Sequence, residues 1–133
     1  MQNLQELFGN RNHGGARLRK HFGCPVQATI NTVSGKWKVL AIWHLGFGAK
    51  RFAELRKLLP GVSAKVLTAQ LRGLERDGVV QREFKRASPP QTSYRLTKAG
   101  DDLLDPMTEL CHWGTRYLGV PPNLPRYPKG SKK

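Results

Sequence analysis

The amino-acid sequence predicts a mainly α-helical fold that carries one small β-hairpin. Five stretches place apolar residues at helical spacing, and only residues 79–96 read as extended chain. Charge is the third observation. The chain of 133 residues holds 23 Lys and Arg against nine Asp and Glu, a net +14, and this excess is unevenly spread.

Residues 1–22 are rich in Asn, Gly and Arg and read as a flexible basic arm, with Leu4, Leu7 and Phe8 able to form one short amphipathic turn. A single domain over 23–120 follows. Val26, Ile30 and Val33 recur at helical spacing behind Pro25, whose fixed φ suits a first helical position. Trp37, Leu40, Ala41, Trp43 (or His44) and Leu45 mark a second, strongly apolar helix ending near Gly46–Gly48. Phe52, Leu55, Leu58 and Leu59 mark a short third. After the turn Pro60-Gly61-Val62, Ser63 can cap a fourth helix, which Gly78 is placed to stop in the left-handed conformation. Val79–Lys85 and Thr92–Leu96 read as strands joined by a basic, proline-containing loop. Thr97 should cap a final helix carrying Leu103, Leu104, Met107, Leu110, Cys111, Trp113 (or Gly114), Tyr117 and Leu118. Pro106 is expected to kink that helix, or to restart it with Asp105 as the cap. From 121 to 133 Pro, Lys and Gly dominate, which predicts a disordered tail. Two short helices around a tight turn, followed by a hairpin, make a winged helix-turn-helix.

The charge has a direction. Residues 1–22 hold four basic residues against Glu6; residues 35–98 hold fourteen against four acids, a net +10; residues 99–120 hold four acids against Arg116. One basic segment followed by an acidic helix predicts an oriented face for a polyanion. On the fourth helix Leu67, Leu71 and Leu74 fall on one stripe and must face the core. At 100° per residue the opposite stripe holds Lys65, Ala69, Arg72 and Arg76, with Thr68 at its edge. Guanidinium, hydroxyl and methyl groups on one face can read base edges in a major groove, and the leading N-terminal half includes Ser63. Lys50, Arg51, Arg56 and Lys57 are better placed for phosphates. Lys85 and Arg86 in the loop could grip the neighbouring minor groove or backbone. The expected partner is a double-stranded DNA operator. A sequence-neutral binder of chromatin or RNA would use the same charge without reading bases.

Several segments together resemble the HxlR-type winged-helix transcription regulators. They are Cys24-Pro25-Val26, Gly35-Lys36-Trp37-Lys38, Lys50-Arg51-Phe52-Ala53-Glu54-Leu55-Arg56, Leu59-Pro60-Gly61-Val62-Ser63, Leu67-Thr68-Ala69-Gln70-Leu71, Leu74-Glu75-Arg76-Asp77-Gly78 and Tyr94-Arg95-Leu96-Thr97. The resemblance covers residues 24–114. It implies a homodimeric bacterial or archaeal regulator, a repressor in preference to an activator, with its dimer built from the first and last helices. Leu103, Leu104, Met107, Leu110, Cys111, Tyr117 and Leu118 would then belong to the dimer helix, and that stripe is wider than a small lone core easily covers; the alternative is that it packs only on its own domain. One departure stands out: the family loop reads Pro-Pro, a basic residue, then Val-Glu-Tyr, where this chain has Pro89-Pro90-Gln91-Thr92-Ser93-Tyr94. The missing Glu removes an anchor for the wing.

Cys24 is the one candidate for effector chemistry. It precedes a helix N-terminus, where backbone N–H groups favour a thiolate, and stands near Arg17, Arg19, Lys20 and His21. Some regulators of the resembled family use a cysteine here as a redox or quinone sensor; the plainer alternative is a half-buried structural thiol. A redox switch acting on a partner protein is a third reading of the chain. Cys111 is expected to be a packing residue. Two cysteines make no disulfide framework, the four histidines lack metal-ligand spacing, and no phosphate loop, nucleophile elbow or paired-acid arrangement is present. A non-enzyme without metal or cofactor is expected. Met1-Gln2-Asn3-Leu4 lacks the pattern of a secretory signal and no apolar run suits a bilayer, which predicts a cytoplasmic protein with no membrane partner.

Overall fold

The computed structural model describes residues 24–121; the arm 1–22 and the tail residues 122–133 lie outside the described residues. The elements are α1 (Pro25–Val33), α2 (Lys36–Leu45), β1 (Lys50–Arg51), α3 (Phe52–Leu58), α4 (Ala64–Arg76), β2 (Val80–Lys85), β3 (Gln91–Leu96), α5 (Lys98–Asp101) and α6 (Leu104–Leu118). The expected order of helices and hairpin is present, with one strand more. Lys50 and Arg51 pair with Tyr94 and Ser93, making a three-stranded antiparallel sheet in the order β1-β3-β2. Two residues are too few to show alternation, so only the partner strand reveals β1.

The core forms where α2, α3, α4 and the sheet meet. Leu67, Leu71 and Leu74 are buried as the spacing requires, against Leu55, Leu59, Val62, Val79 and Val80. The second half of α2 is buried nearly all round, because the helix packs on α3, α4, β3 and α6 at once. Ile42, outside the stripe expected for this helix, is therefore among its fully buried side chains.

Local chemistry fixes the ends of α4. The Ser63 hydroxyl accepts the Val66 N–H at 3.1 Å. Gly78 follows the helix at φ +78, the left-handed region open to glycine. The stop is then clasped from a distance. Thr97 Oγ1 donates to the Gly78 carbonyl at 2.6 Å and accepts the Gly100 N–H at 3.1 Å, while the Thr97 N–H donates to the Val79 carbonyl at 3.0 Å. One threonine thus caps α5 and ties it to the exit of α4.

The last helix differs from expectation at its break. Thr97 caps only the four-residue α5, and α6 restarts at Leu104 with Leu103 as its N-cap residue, two positions before the expected Asp105. Pro106 explains the break and is compatible with the new start. A continuous helix would press its ring against the Asp102 carbonyl, whereas at the third position of a new helix its missing N–H is one that needs no intrahelical partner.

Candidate nucleic-acid interface

Helix α4 presents the face that its sequence spacing predicts. Lys65, Ala69, Arg72 and Arg76 are exposed and Thr68 is half-buried beside them. Together with Ala64 they line one shallow, open concavity. Among the described residues none of these three cations is in an ion pair, whereas Glu75, on the flank of the same helix, is held by Arg82 of β2 at 3.7 Å. The basic face is left free and the acidic flank is spent on holding the hairpin.

That hairpin is the wing. The expected lost anchor has a substitute: Ser93 stands between Arg51 and Glu83 in register, and Glu83 pairs with Arg95 at 2.7 Å across the β2–β3 ladder. Two ion pairs therefore tie the wing, one along its own strands and one to α4. Lys85 and Arg86 are exposed at the tip. Phe84 beside them is 63% exposed, an apolar group left out of the core at the tip of β2.

The other predicted cations are spread around α3. Lys50 lies in β1, with its amino group donating to the Gly48 carbonyl at 3.4 Å, and Arg51 supplies the N-cap backbone of α3, its N–H donating to Glu54 at 2.7 Å. Arg56 is partly committed inside the fold, since its Nε donates to the Val62 carbonyl at 3.3 Å and ties α3 to the turn before α4. Lys57 is exposed. Sequence spacing assigns no role to Lys36 and Lys38, because they lie on α2, outside the helix-turn-helix pair. The structure sets α2 directly against α4. Close by, burial first and the Lys50 charge second hold His44 below the usual imidazole range.

A second surface is apolar. Counted at 100° per residue, Leu110, Trp113 and Tyr117 form one exposed stripe along α6, with Trp113 and Tyr117 rings 5.3 Å apart. On α1, Val26 and Ile30 are likewise exposed. Of the residues expected on the dimer helix, Leu104 is fully buried in its own core, and Leu103 and Met107 pack against that core. Leu110, Tyr117 and Leu118 remain open to a partner. Cys111 is half-buried in the wall of an apolar cavity of about 290 Å³ between α2 and α6.

Cys24 occupies the N-cap of α1, its carbonyl accepting the Ala28 N–H at 2.9 Å and its thiol making no cap hydrogen bond. It is exposed, which corrects the half-buried structural thiol as an alternative. The neighbouring cations Arg17, Arg19 and Lys20 lie outside the described residues. Among the described residues, no group of three or more His, Cys, Asp or Glu could hold a metal ion, and no helix is long and apolar enough to cross a membrane.

Comparison with known proteins gives one consistent result. The family model described as HxlR-like helix-turn-helix matches residues 32–121. The HTH-type transcriptional regulator YdeP of Bacillus subtilis is 45% identical over 95 residues, covering 71% of this chain and 74% of YdeP. Among solved structures, the HTH-type regulator ytcD superposes with a TM-score of 0.69 at 38% identity, over 73% of this chain and 99% of that one. The redox regulator HypR in its oxidized form superposes with a TM-score of 0.65 at 40% identity, over 70% of this chain and 96% of that one.

Proposed function

The chain belongs to the HxlR-like helix-turn-helix family, and from that premise we propose that it is a dimeric, sequence-specific transcription regulator, acting as a repressor by occupying its operator. The observation that carries this reading is the face of α4: Lys65, Arg72 and Arg76 exposed and unpaired among the described residues, flanked by a wing anchored to the same helix. Helix α4 enters the major groove, where Ser63, Lys65, Thr68, Ala69 and Arg72 read or approach base edges and Arg76 follows on the same stripe. Lys50, Arg51, Lys57 and the free end of Arg56 meet phosphates, and Lys85 and Arg86 meet the neighbouring minor groove or backbone. The exposed stripes of α1 and α6 support a homodimer, since Leu110, Trp113 and Tyr117 would otherwise face water.

Binding-site selection from genomic fragments, followed by titration of the selected duplex and a random one at fixed salt, tests the reading. A regulator discriminates by on the order of 10³-fold or more. Equal affinity for both would replace it with a sequence-neutral binder.

A second reading adds a signal. Cys24 is exposed at a helix N-cap, and the similarity to the redox regulator HypR supports a thiol switch there. Treating the protein with a mild oxidant or a quinone should weaken operator binding, and Cys24→Ser should abolish that response. An equal response in both proteins would remove Cys24 from the mechanism.

A further inference from the structure

Glycine in the middle of a helix costs about 1 kcal/mol relative to alanine, so Gly73 in α4 needs a reason. Its surroundings supply one. Gly73 is buried, and a Cβ built on it would lie 3.3 Å from Lys38 Cε, 3.2 Å from Lys38 Nζ and 3.6 Å from an Arg76 guanidinium nitrogen. The missing side chain makes a notch through which the Lys38 side chain crosses from α2 onto α4. Its ammonium and the Arg76 guanidinium thereby both border the Gly73 position. Among the described residues neither is in an ion pair. At the start of α2, a Cβ built on Gly35 would lie 3.8 Å from Gln70 Oε1 of α4.

The position of this pair on α4 is informative. Counted at 100° per residue, Glu75 and Thr68 lie on one flank of the outward stripe, and Gly73 and Gln70 on the other. Arg82 of the wing holds the first flank through Glu75. Lys38 covers the second. A helix seated in a major groove has a phosphate backbone along each side, and two cations on one flank, neither in an ion pair among the described residues, favour an anion there. We infer that Lys38, held in the Gly73 notch and joined by Arg76, is a phosphate-binding site for the DNA strand on the side of α4 opposite the wing. This rests on the proposed DNA-binding reading and extends its footprint to α2.

The test compares wild type, Lys38→Met, Lys38→Arg, Gly73→Ala and Arg72→Ala on the selected operator and on single-base variants of it, across roughly 50–200 mM salt. Lys38→Met should bind more weakly by on the order of fivefold, and should flatten the slope of log affinity against log salt by about 0.9 for each bound copy of the chain. Its ranking of the single-base variants should match wild type, because a phosphate carries no sequence information. Lys38→Arg should keep the wild-type slope, and Gly73→Ala, which pushes the ammonium aside, should shift it toward that of Lys38→Met. Thermal unfolding checks that each variant is folded; if Lys38→Met is not, Lys38→Gln takes its place. A folded neutral variant with the wild-type slope overturns the inference, as does one that changes base preference. If Arg72→Ala then still alters base preference, the DNA-binding reading stands alone. Absence of salt-dependent duplex binding by the wild type would overturn both.

Discussion

Leu71 and Arg72 are adjacent in the chain and should behave as opposites. Leu71 is 1% exposed and faces the core, while Arg72 is exposed on the outward stripe of α4, in no ion pair among the described residues. Leu71→Ala removes three buried carbons, about 2.4 kcal/mol at ~0.8 kcal/mol each. The cavity left behind adds to this, for a total of about 2–5 kcal/mol. Arg72→Ala removes a solvated side chain with no folding partner and puts a better helix former in its place, so stability should move by less than about 0.5 kcal/mol. On DNA the order reverses. Loss of a bidentate arginine contact to guanine costs about 1–3 kcal/mol and relaxes preference at one operator position. Leu71→Ala, measured where it is still folded, should keep the wild-type ranking of operator variants. Urea denaturation at fixed protein concentration and fluorescence anisotropy on operator duplexes give the two readouts. If Arg72→Ala left both affinity and base preference unchanged, or if Leu71→Ala cost no stability, the assignment of the two faces of α4 would be wrong.

Three further outcomes follow from particular contacts. His44 has a depressed folded-state pKa from burial and, secondly, from Lys50, so the unfolded chain takes up its proton first. Stability should be level above the unfolded value of about 6.5 and should fall as pH drops toward the folded value. Thermal unfolding across that range should show this acid limb reduced in His44→Gln, and only in part in Lys50→Met. Gly100→Ala should destabilise: the new Cβ would run into the Val79 carbonyl, and overpacking of about 1–3 kcal/mol outweighs the gain of up to ~1 kcal/mol from replacing a helical glycine. Urea unfolding gives the sign. Trp113→Ala, on the exposed stripe of α6, should weaken self-association by about 2 kcal/mol or more, roughly 30-fold, while leaving the isolated fold intact; sedimentation velocity with far-UV circular dichroism separates the two effects.

The outward face of α4 is legible in the sequence because local rules suffice there. Leu67, Leu71 and Leu74 repeat at helical spacing, Ser63 and Gly78 mark the ends, and the polar remainder must point outward. What could not be read depends on partners distant in sequence. Strand β1 exists only because β3 lies beside it. Ile42 is buried because four elements surround α2, and no single stripe records that. Leu104 fits the apolar stripe of the last helix equally well as a core or a dimer residue; only the packed structure shows it turned fully inward. Pro106 predicts the restart of α6 but puts its cap two residues late, since a proline sets where a helix cannot continue rather than where its successor begins. Gly73 and Lys38 are 35 positions apart, and neither has a local pattern that points to the other.

The clasp at Thr97 bears on how an event at the apolar stripe of α6 would reach DNA. Its hydroxyl holds the carbonyl that ends α4 while capping α5, and the chain turns directly from α5 into α6. Gly100 leaves no room for slack against Val79. The exit of α4 is thus fixed to α5 by hydrogen bonds and close packing, and α6 begins one short turn later. In a dimer built on α6, rotating one α6 against its partner must therefore carry each α4 with it. Two recognition helices must lie about 34–36 Å apart to enter successive major grooves on one face of a duplex, so in such a dimer a small rotation about α6 would change DNA affinity without altering any side chain of the outward face of α4.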